Sequence, residues 1–76
     1  MEMYELRARI NGKVTVKIDS VDGDGNLIWN GSDQKWYVIW REKGANSQTP
    51  ARVIELKDDL ISKLTLVNNH MVLIHP

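Results

Sequence analysis

Hydrophobic and polar residues alternate along the first part of the chain, from residue 4 to residue 18. A period of two residues is typical of strands that bury one face and expose the other. Asn11 and Gly12 interrupt the alternation and favour a turn, since both residue types tolerate a left-handed backbone. A three-residue loop that ends at Gly12 keeps the apolar residues of both strands on one face, whereas a two-residue turn mixes the faces. The pattern therefore predicts a first hairpin that pairs Leu6 with Val16.

A second hairpin is predicted in the middle of the chain. Residues 27–30 and 35–41 are rich in the apolar, aromatic and β-branched side chains that favour strands. The polar segment 31–34 connects them, and this register places Trp29 opposite Trp36. Both faces of the second strand are apolar. That pattern is typical of a strand covered by the core on one side and by another layer or molecule on the other.

In the rest of the chain, the sequence leaves open whether the segment near residue 64 is a helix or a strand. Segment 43–50 has no apolar period and predicts a surface loop, and 52–56 predicts another strand. A helix near 58–66 fits apolar residues spaced along one helical face, behind two aspartates suited to its first turn. A hairpin of 64–67 with 70–74, around a pair of asparagines, fits the alternation and the β-branched residues equally well. In both interpretations the last apolar run forms a closing strand.

These elements belong to one small β-rich domain, 1–76, because 76 residues are too few for a second core. We expect a mostly β fold: a small antiparallel barrel or curved sheet of five to six strands, SH3-like or OB-like, with one short helix near 58–66. These fold names are analogies of architecture and imply no function. A domain this short hides only about 60% of its unfolded surface, and it has no cysteine for disulfides. Self-association is the remaining source of extra stability.

Charge narrows the range of partners. Ten lysines and arginines balance ten aspartates and glutamates, so the net charge is zero. The chain therefore has no long-range field toward polyphosphates or anionic membranes, which disfavours nucleic-acid binding. No apolar run approaches the roughly 18 residues of a membrane span, and the acidic N-terminal residues do not resemble a secretory signal. We expect a cytoplasmic protein with no membrane partner.

Residues 20–27 resemble the front half of an EF-hand calcium loop. Asp22 and Asp24 stand at ligand positions, and a glycine follows at the sharp turn. A serine replaces the first aspartate, a glycine replaces the bidentate glutamate, and a predicted strand precedes the loop where a helix belongs. Two of the strongest ligands are missing. The sequence therefore predicts an ordinary loop of aspartates and glycines at 22–26 and no metal site.

Three of the five aromatic residues fall within one short strand, at Trp36, Tyr37 and Trp40. Aromatic side chains fill cores, and exposed ones act as anchors at protein interfaces. Along a strand, Trp36 and Trp40 point to one face, and Tyr37 and Ile39 point to the other. The candidate protein-interface residues are therefore Trp36, Tyr37, Ile39 and Trp40. If the tryptophans point into the core, Tyr37 and Ile39 form the exposed apolar patch.

Four basic residues supply the alternative function, a nucleic-acid-binding small β-barrel. Arg7, Arg9, Lys13 and Lys17 share the outer face of the predicted first hairpin, where they are positioned to contact phosphates. An exposed tryptophan would add base stacking. The acidic residues among them favour instead an ordinary solvated face.

No arrangement of residues predicts catalysis, a cofactor or a metal centre. His70 and His75 are the two histidines, and on a strand they point to opposite faces, which prevents them from sharing a metal. The chain shows no glycine-flanked nucleophile, no carboxylates paired at helical spacing and no phosphate-binding glycine loop. We therefore predict a module that is not an enzyme, binds no cofactor, acts through protein–protein contacts and associates with itself.

Overall fold

The computed structural model describes residues 2–68 and 70–75, which contain two helices and six strands. In chain order the elements are α1 (Met3–Ile10), β1 (Lys13–Ile18), β2 (Val21–Asn30), β3 (Lys35–Glu42), β4 (Arg52–Glu55), α2 (Asp58–Ile61), β5 (Leu64–Val67) and β6 (His70–His75). The strands form one sheet in the order β4-β3-β2-β1-β6-β5. Strands β1 to β4 follow one another as an antiparallel meander, and β6 pairs with the free side of β1 in parallel.

The prediction of a mostly β fold is confirmed, and its finer form differs from the prediction. The sheet is mixed and not antiparallel throughout, because the chain crosses from β4 at one edge to the β5–β6 hairpin at the other. The sheet does not close into a barrel, since β4 and β5 remain as its two edges. An SH3-like or OB-like architecture is therefore not confirmed.

The prediction of the first strand of the first hairpin is wrong, because helix α1 takes the place of that strand. Leu6 and Ile10 are four residues apart, so they lie on one helical face, and both are buried in the core. Asn11 and Gly12 end this helix instead of turning a hairpin. Their φ angles are 55° and 74°, and the Gly12 N–H donates to the Arg7 carbonyl at 2.9 Å. A left-handed pair thus serves as a helix C-cap here.

The predicted loop of aspartates and glycines is also wrong, since it forms the first half of β2. Gly23 and Gly25 face the core, where the indole of Trp40 lies against their backbone. A Cβ atom at Gly25 would lie 2.6 Å from the Trp40 Cβ, and one at Gly23 would lie 2.5 Å from its Cε3. The glycines therefore make room for a tryptophan. The turn comes earlier, at Asp19 and Ser20, whose φ angles are 52° and 64°.

The predicted second hairpin is confirmed in both strands and register. Trp29 pairs with Trp36 across β2 and β3. The Asn30 side-chain oxygen closes the turn by accepting the backbone N–H groups of Ser32 at 2.9 Å and Asp33 at 3.1 Å. The surface loop and the strand predicted after this hairpin are also present, the strand as β4.

The two interpretations of the C-terminal part each hold in part. Helix α2 is a single turn, and the predicted hairpin follows it, with Leu64 opposite Leu73 and Leu66 opposite Met71. The helix prediction is wrong beyond this turn, because pairing with β6 places both leucines on one face of a strand. The parallel pairing of β6 with β1 was not predicted, since no local sequence pattern marks a pairing between distant parallel strands.

Alternation of side chains gives the sheet two different faces. The core face packs against α1 and supplies most of the hydrophobic core. The buried apolar residues are Leu6, Ile10, Val14, Val16, Ile18, Leu27, Trp36, Val38, Trp40, Leu56, Met71 and Leu73. The opposite face, here called the open face, carries the alternate residues, and neither α1 nor α2 packs on it.

Candidate functional site

An apolar patch lies on the open face, toward the β4 edge of the sheet. Ile28 pairs with Tyr37 across β2 and β3, and Ile39 pairs with Val53 across β3 and β4. These four side chains, with two polar neighbours, border a shallow cavity of about 300 Å³. Val53 is 61% exposed and Ile39 is 37% exposed. We refer to Ile28, Tyr37, Ile39 and Val53 as the open-face patch.

Polar and charged groups border the open-face patch. The Tyr37 hydroxyl donates a hydrogen bond to Asp33 Oδ2 at 2.9 Å, and this bond raises the pKa of Tyr37 above its ordinary value. Lys35 Nζ lies 2.8 Å from Glu55 Oε1, and the hydrogen bond to Glu55 raises the pKa of Lys35. An apolar centre with a polar rim is the usual composition of a protein interface. The open-face patch has that composition within one chain.

The four predicted interface residues divide between the two faces of β3. Trp36 and Trp40 lie on the core face and are only 9% and 2% exposed, so they leave little surface for contact with a partner. Tyr37 and Ile39 lie on the open face. The tryptophans do point into the core, which was the condition for Tyr37 and Ile39 to form the patch. Their contact with a partner stays a prediction.

Sequence reasoning missed two members of the open-face patch. Ile28 follows from the confirmed register of the second hairpin, because it lies opposite Tyr37. Val53 depends on how β4 pairs with β3, and nothing in the sequence specifies that register across an irregular loop. The alternation within β3 therefore indicated Tyr37 and Ile39 and did not identify the patch residues on the neighbouring strands.

The four predicted nucleic-acid residues do not share one face. Arg7 and Arg9 are on α1, which packs on the core face, whereas Lys13 and Lys17 lie on the open face of β1. Their proposed grouping is wrong, because it depended on the hairpin that α1 replaces. Lys17 also lies opposite Asp22 in the sheet, so an opposite charge stands next to it. Nucleic-acid binding itself stays a prediction.

A polar stripe crosses the middle of the open face. Asp22 and Asp24 lie two residues apart on the extended strand β2. Their carboxylates therefore lie side by side along the strand and do not converge on one metal position, as the ligands of an EF-hand do. Within residues 2–68 and 70–75, no group of three histidine or acidic side chains is placed to hold a metal ion. His70 lies on the open face and hydrogen-bonds through Nε2 to the Thr15 hydroxyl. His75 lies on the opposite face, as predicted.

A second apolar site lies at the other edge of the sheet, on the core face. A cavity of about 220 Å³, here called the edge groove, separates α1 and α2 from the β5–β6 hairpin. Its walls are Met3, Leu6, Ile61, Leu64, Leu66 and Met71. Leu64 and Leu66 are half-buried and Ile61 is 36% exposed, so the groove opens toward solvent beside β5. Of the elements around the groove, the sequence predicted a helix at the position of α2 and, as the alternative, the β5–β6 hairpin, and it missed α1.

Comparisons of the chain with models of protein families, with curated proteins and with solved structures find no match. In the described part of the chain, neither helix has the length and apolar character needed to cross a membrane.

Proposed function

We propose that this chain is a non-enzymatic protein-binding module that associates with copies of itself through the open-face patch. The observation that supports this most is the patch itself, four neighbouring apolar side chains on a sheet face that neither α1 nor α2 covers. Removing apolar surface from water contributes about 25 cal/mol per Å². A partner that covers the patch therefore gains stability in proportion to the area it hides.

A second copy is the favoured partner for two reasons. A domain of 76 residues has a small core, and self-association adds buried surface without lengthening the chain. The rim of the patch carries both signs of charge, Lys35 and Glu55 in an ion pair with Asp33 nearby. Two copies related by a two-fold axis therefore meet without single-sign repulsion.

Sedimentation velocity of the variant Ile39→Asp tests the proposal. A carboxylate in the centre of the patch must lose its hydration when a partner covers it, so the variant disfavours association. We expect its weight-average mass to fall below that of the wild type at a concentration where the wild type associates.

Ile74→Asp is the matched control, because Ile74 is 58% exposed and lies on the same face but on β6, outside the patch. We expect it to sediment like the wild type. Both side chains are solvent-accessible, so both variants should retain the wild-type circular dichroism spectrum. Equal masses for Ile39→Asp, Ile74→Asp and the wild type would show that the patch is not the contact surface.

A further inference from the structure

We propose that the β5 edge is a second association surface, at which two copies of the chain join their sheets by antiparallel pairing of β5 with β5. This inference rests on the proposed self-association and adds a surface that shares no residue with the open-face patch.

The backbone of β5 is positioned to accept another strand. Val67 pairs with His70 across a two-residue connection, and such hairpins close on a hydrogen-bonded pair. Bonding alternates along an antiparallel pair, so Thr65 also bonds to β6, while the N–H and C=O groups of Leu64 and Leu66 point away from it. Within the described residues, neither leucine takes part in the backbone hydrogen bonds of turns, loops and helix caps. A further strand is the partner that satisfies such a row of groups.

Strand β5 also lacks the features by which edge strands avoid pairing. Segment Leu64–Val67 contains no charged residue and no proline. The other edge strand, β4, carries Arg52 and Glu55 at its two ends, and both take part in ion pairs. Of the two edges, β5 is therefore the one open to pairing.

One register makes β5 complementary to itself. When the two-fold axis passes through Thr65, Leu64 of each copy lies opposite Leu66 of the other. The outward N–H and C=O groups of both leucines then meet as hydrogen-bonded pairs, and the two threonines face each other as a non-hydrogen-bonded pair. Opposite residues keep to the same face in this register, as a two-fold pairing of equivalent sheets requires.

The same register extends the apolar core across the interface between the two β5 strands. The leucines of both copies point to the core face, so the two edge grooves become neighbours and the exposed Ile61 side chains are covered. Lys63 falls opposite Val67 of the second copy, so no like charges meet directly. The second copy thus supplies apolar side chains to the groove and backbone partners to the strand.

Disulfide trapping tests this register directly, because the chain contains no cysteine of its own. Opposite residues of a non-hydrogen-bonded pair have Cα atoms about 4.5 Å apart, and a disulfide spans about 4.4 to 6.8 Å. We expect Thr65→Cys to form a covalent dimer under mild oxidation, visible as a doubled mass on a non-reducing gel.

Val67→Cys is the matched control, since residue 67 lies on the same strand and the same face. In the proposed register its two copies are four residues apart along the strand, about 14 Å at about 3.4 Å per residue. This variant should therefore stay monomeric on the gel.

A non-covalent variant checks the same surface. Thr65→Lys places two like charges opposite each other and should weaken the β5 contact about two- to fivefold in sedimentation experiments. Gln48→Lys adds the same charge in the loop between β3 and β4 and should leave the contact unchanged.

The outcomes separate this inference from the proposed function. If the wild type associates but Thr65→Cys cross-links no faster than Val67→Cys, the β5 pairing is overturned and patch-mediated association is unaffected. If the wild type remains a single chain at every concentration, both proposals are overturned. Rapid cross-linking of Thr65→Cys alone supports the β5 pairing.

Discussion

The two edges of the sheet are built differently. At the β4 edge, the Arg52 guanidinium lies 5.1 Å from the centroid of the Trp40 ring, and Glu55 forms ion pairs with Lys35 and Lys57. At the β5 edge the strand is uncharged and lies beside an open apolar groove. The β4 edge therefore pairs its charged side chains within a single chain, whereas the β5 edge has no charged side chain and exposes apolar surface.

The largest loss of folding stability is expected from truncating Trp40, the buried tryptophan of β3 nearest the β4 edge. Trp40 is 2% exposed and packs against the glycines of β2. Trp40→Ala should lower the free energy of unfolding by about 3–5 kcal/mol, because it leaves a large cavity. Urea unfolding followed by circular dichroism measures this. A loss below about 1 kcal/mol would mean that Trp40 does not organise this side of the sheet.

The glycines under Trp40 give the next prediction. Gly25→Ala forces a methyl group against the Trp40 Cβ, so it should lower the free energy of unfolding by about 1–3 kcal/mol. Gly31→Ala is the control, since the nearest atom to its added methyl is 4.0 Å away. Urea unfolding should show little change for that variant. Equal losses for the two variants would contradict the close packing of the indole on β2.

Truncating a side chain at the β5 edge should lower the free energy of unfolding by a smaller amount, and that amount should depend on protein concentration. Leu66 is half-buried, so Leu66→Ala should cost about 1–2 kcal/mol, less than truncating a fully buried leucine. The loss should grow with protein concentration, because association stabilises only the folded wild type. Urea unfolding at two concentrations measures both effects. A loss that is the same at both concentrations would argue against a contact at this edge.

The smallest change in stability is expected from disrupting the ion pair between Lys35 and Glu55 at the β4 edge. Glu55→Gln replaces the charged acceptor that raises the pKa of Lys35 with a neutral one, so this pKa should fall toward its ordinary value of 10.5. A group whose pKa is raised by folding stabilises the native state below its unfolded pKa, and that contribution is lost as the pH rises through the folded value. The variant and the wild type should therefore differ in stability below about pH 10.5 and converge only as the pH rises through the raised pKa of Lys35. An NMR titration of Lys35 measures the shift, and an unchanged pKa in the variant would contradict the pairing.

The middle hairpin was predictable because its evidence is local. The pairing of Trp29 with Trp36 follows from strand alternation and a four-residue connection, and the structure has that register. The alternation within β3 also placed Tyr37 and Ile39 on one face. Patterns of this kind need no knowledge of distant parts of the chain.

The N-terminal helix was not predictable in the same way. Leu6 fits a strand alternation and also a helical face with Ile10, so the local pattern is ambiguous. The choice is made by packing against a sheet that includes Met71 and Leu73, more than fifty residues later. Gly25 poses the same difficulty, since its role depends on a contact with Trp40 from the next strand.

Light scattering of the wild-type chain over a wide concentration range tests whether the chain associates with itself. The uncovered patch and the open β5 edge predict a mass that rises with concentration above that of one chain. A constant mass equal to one chain, at concentrations up to about 1 mM where even weak contacts of about 4 kcal/mol are populated, would show that the chain does not associate with itself.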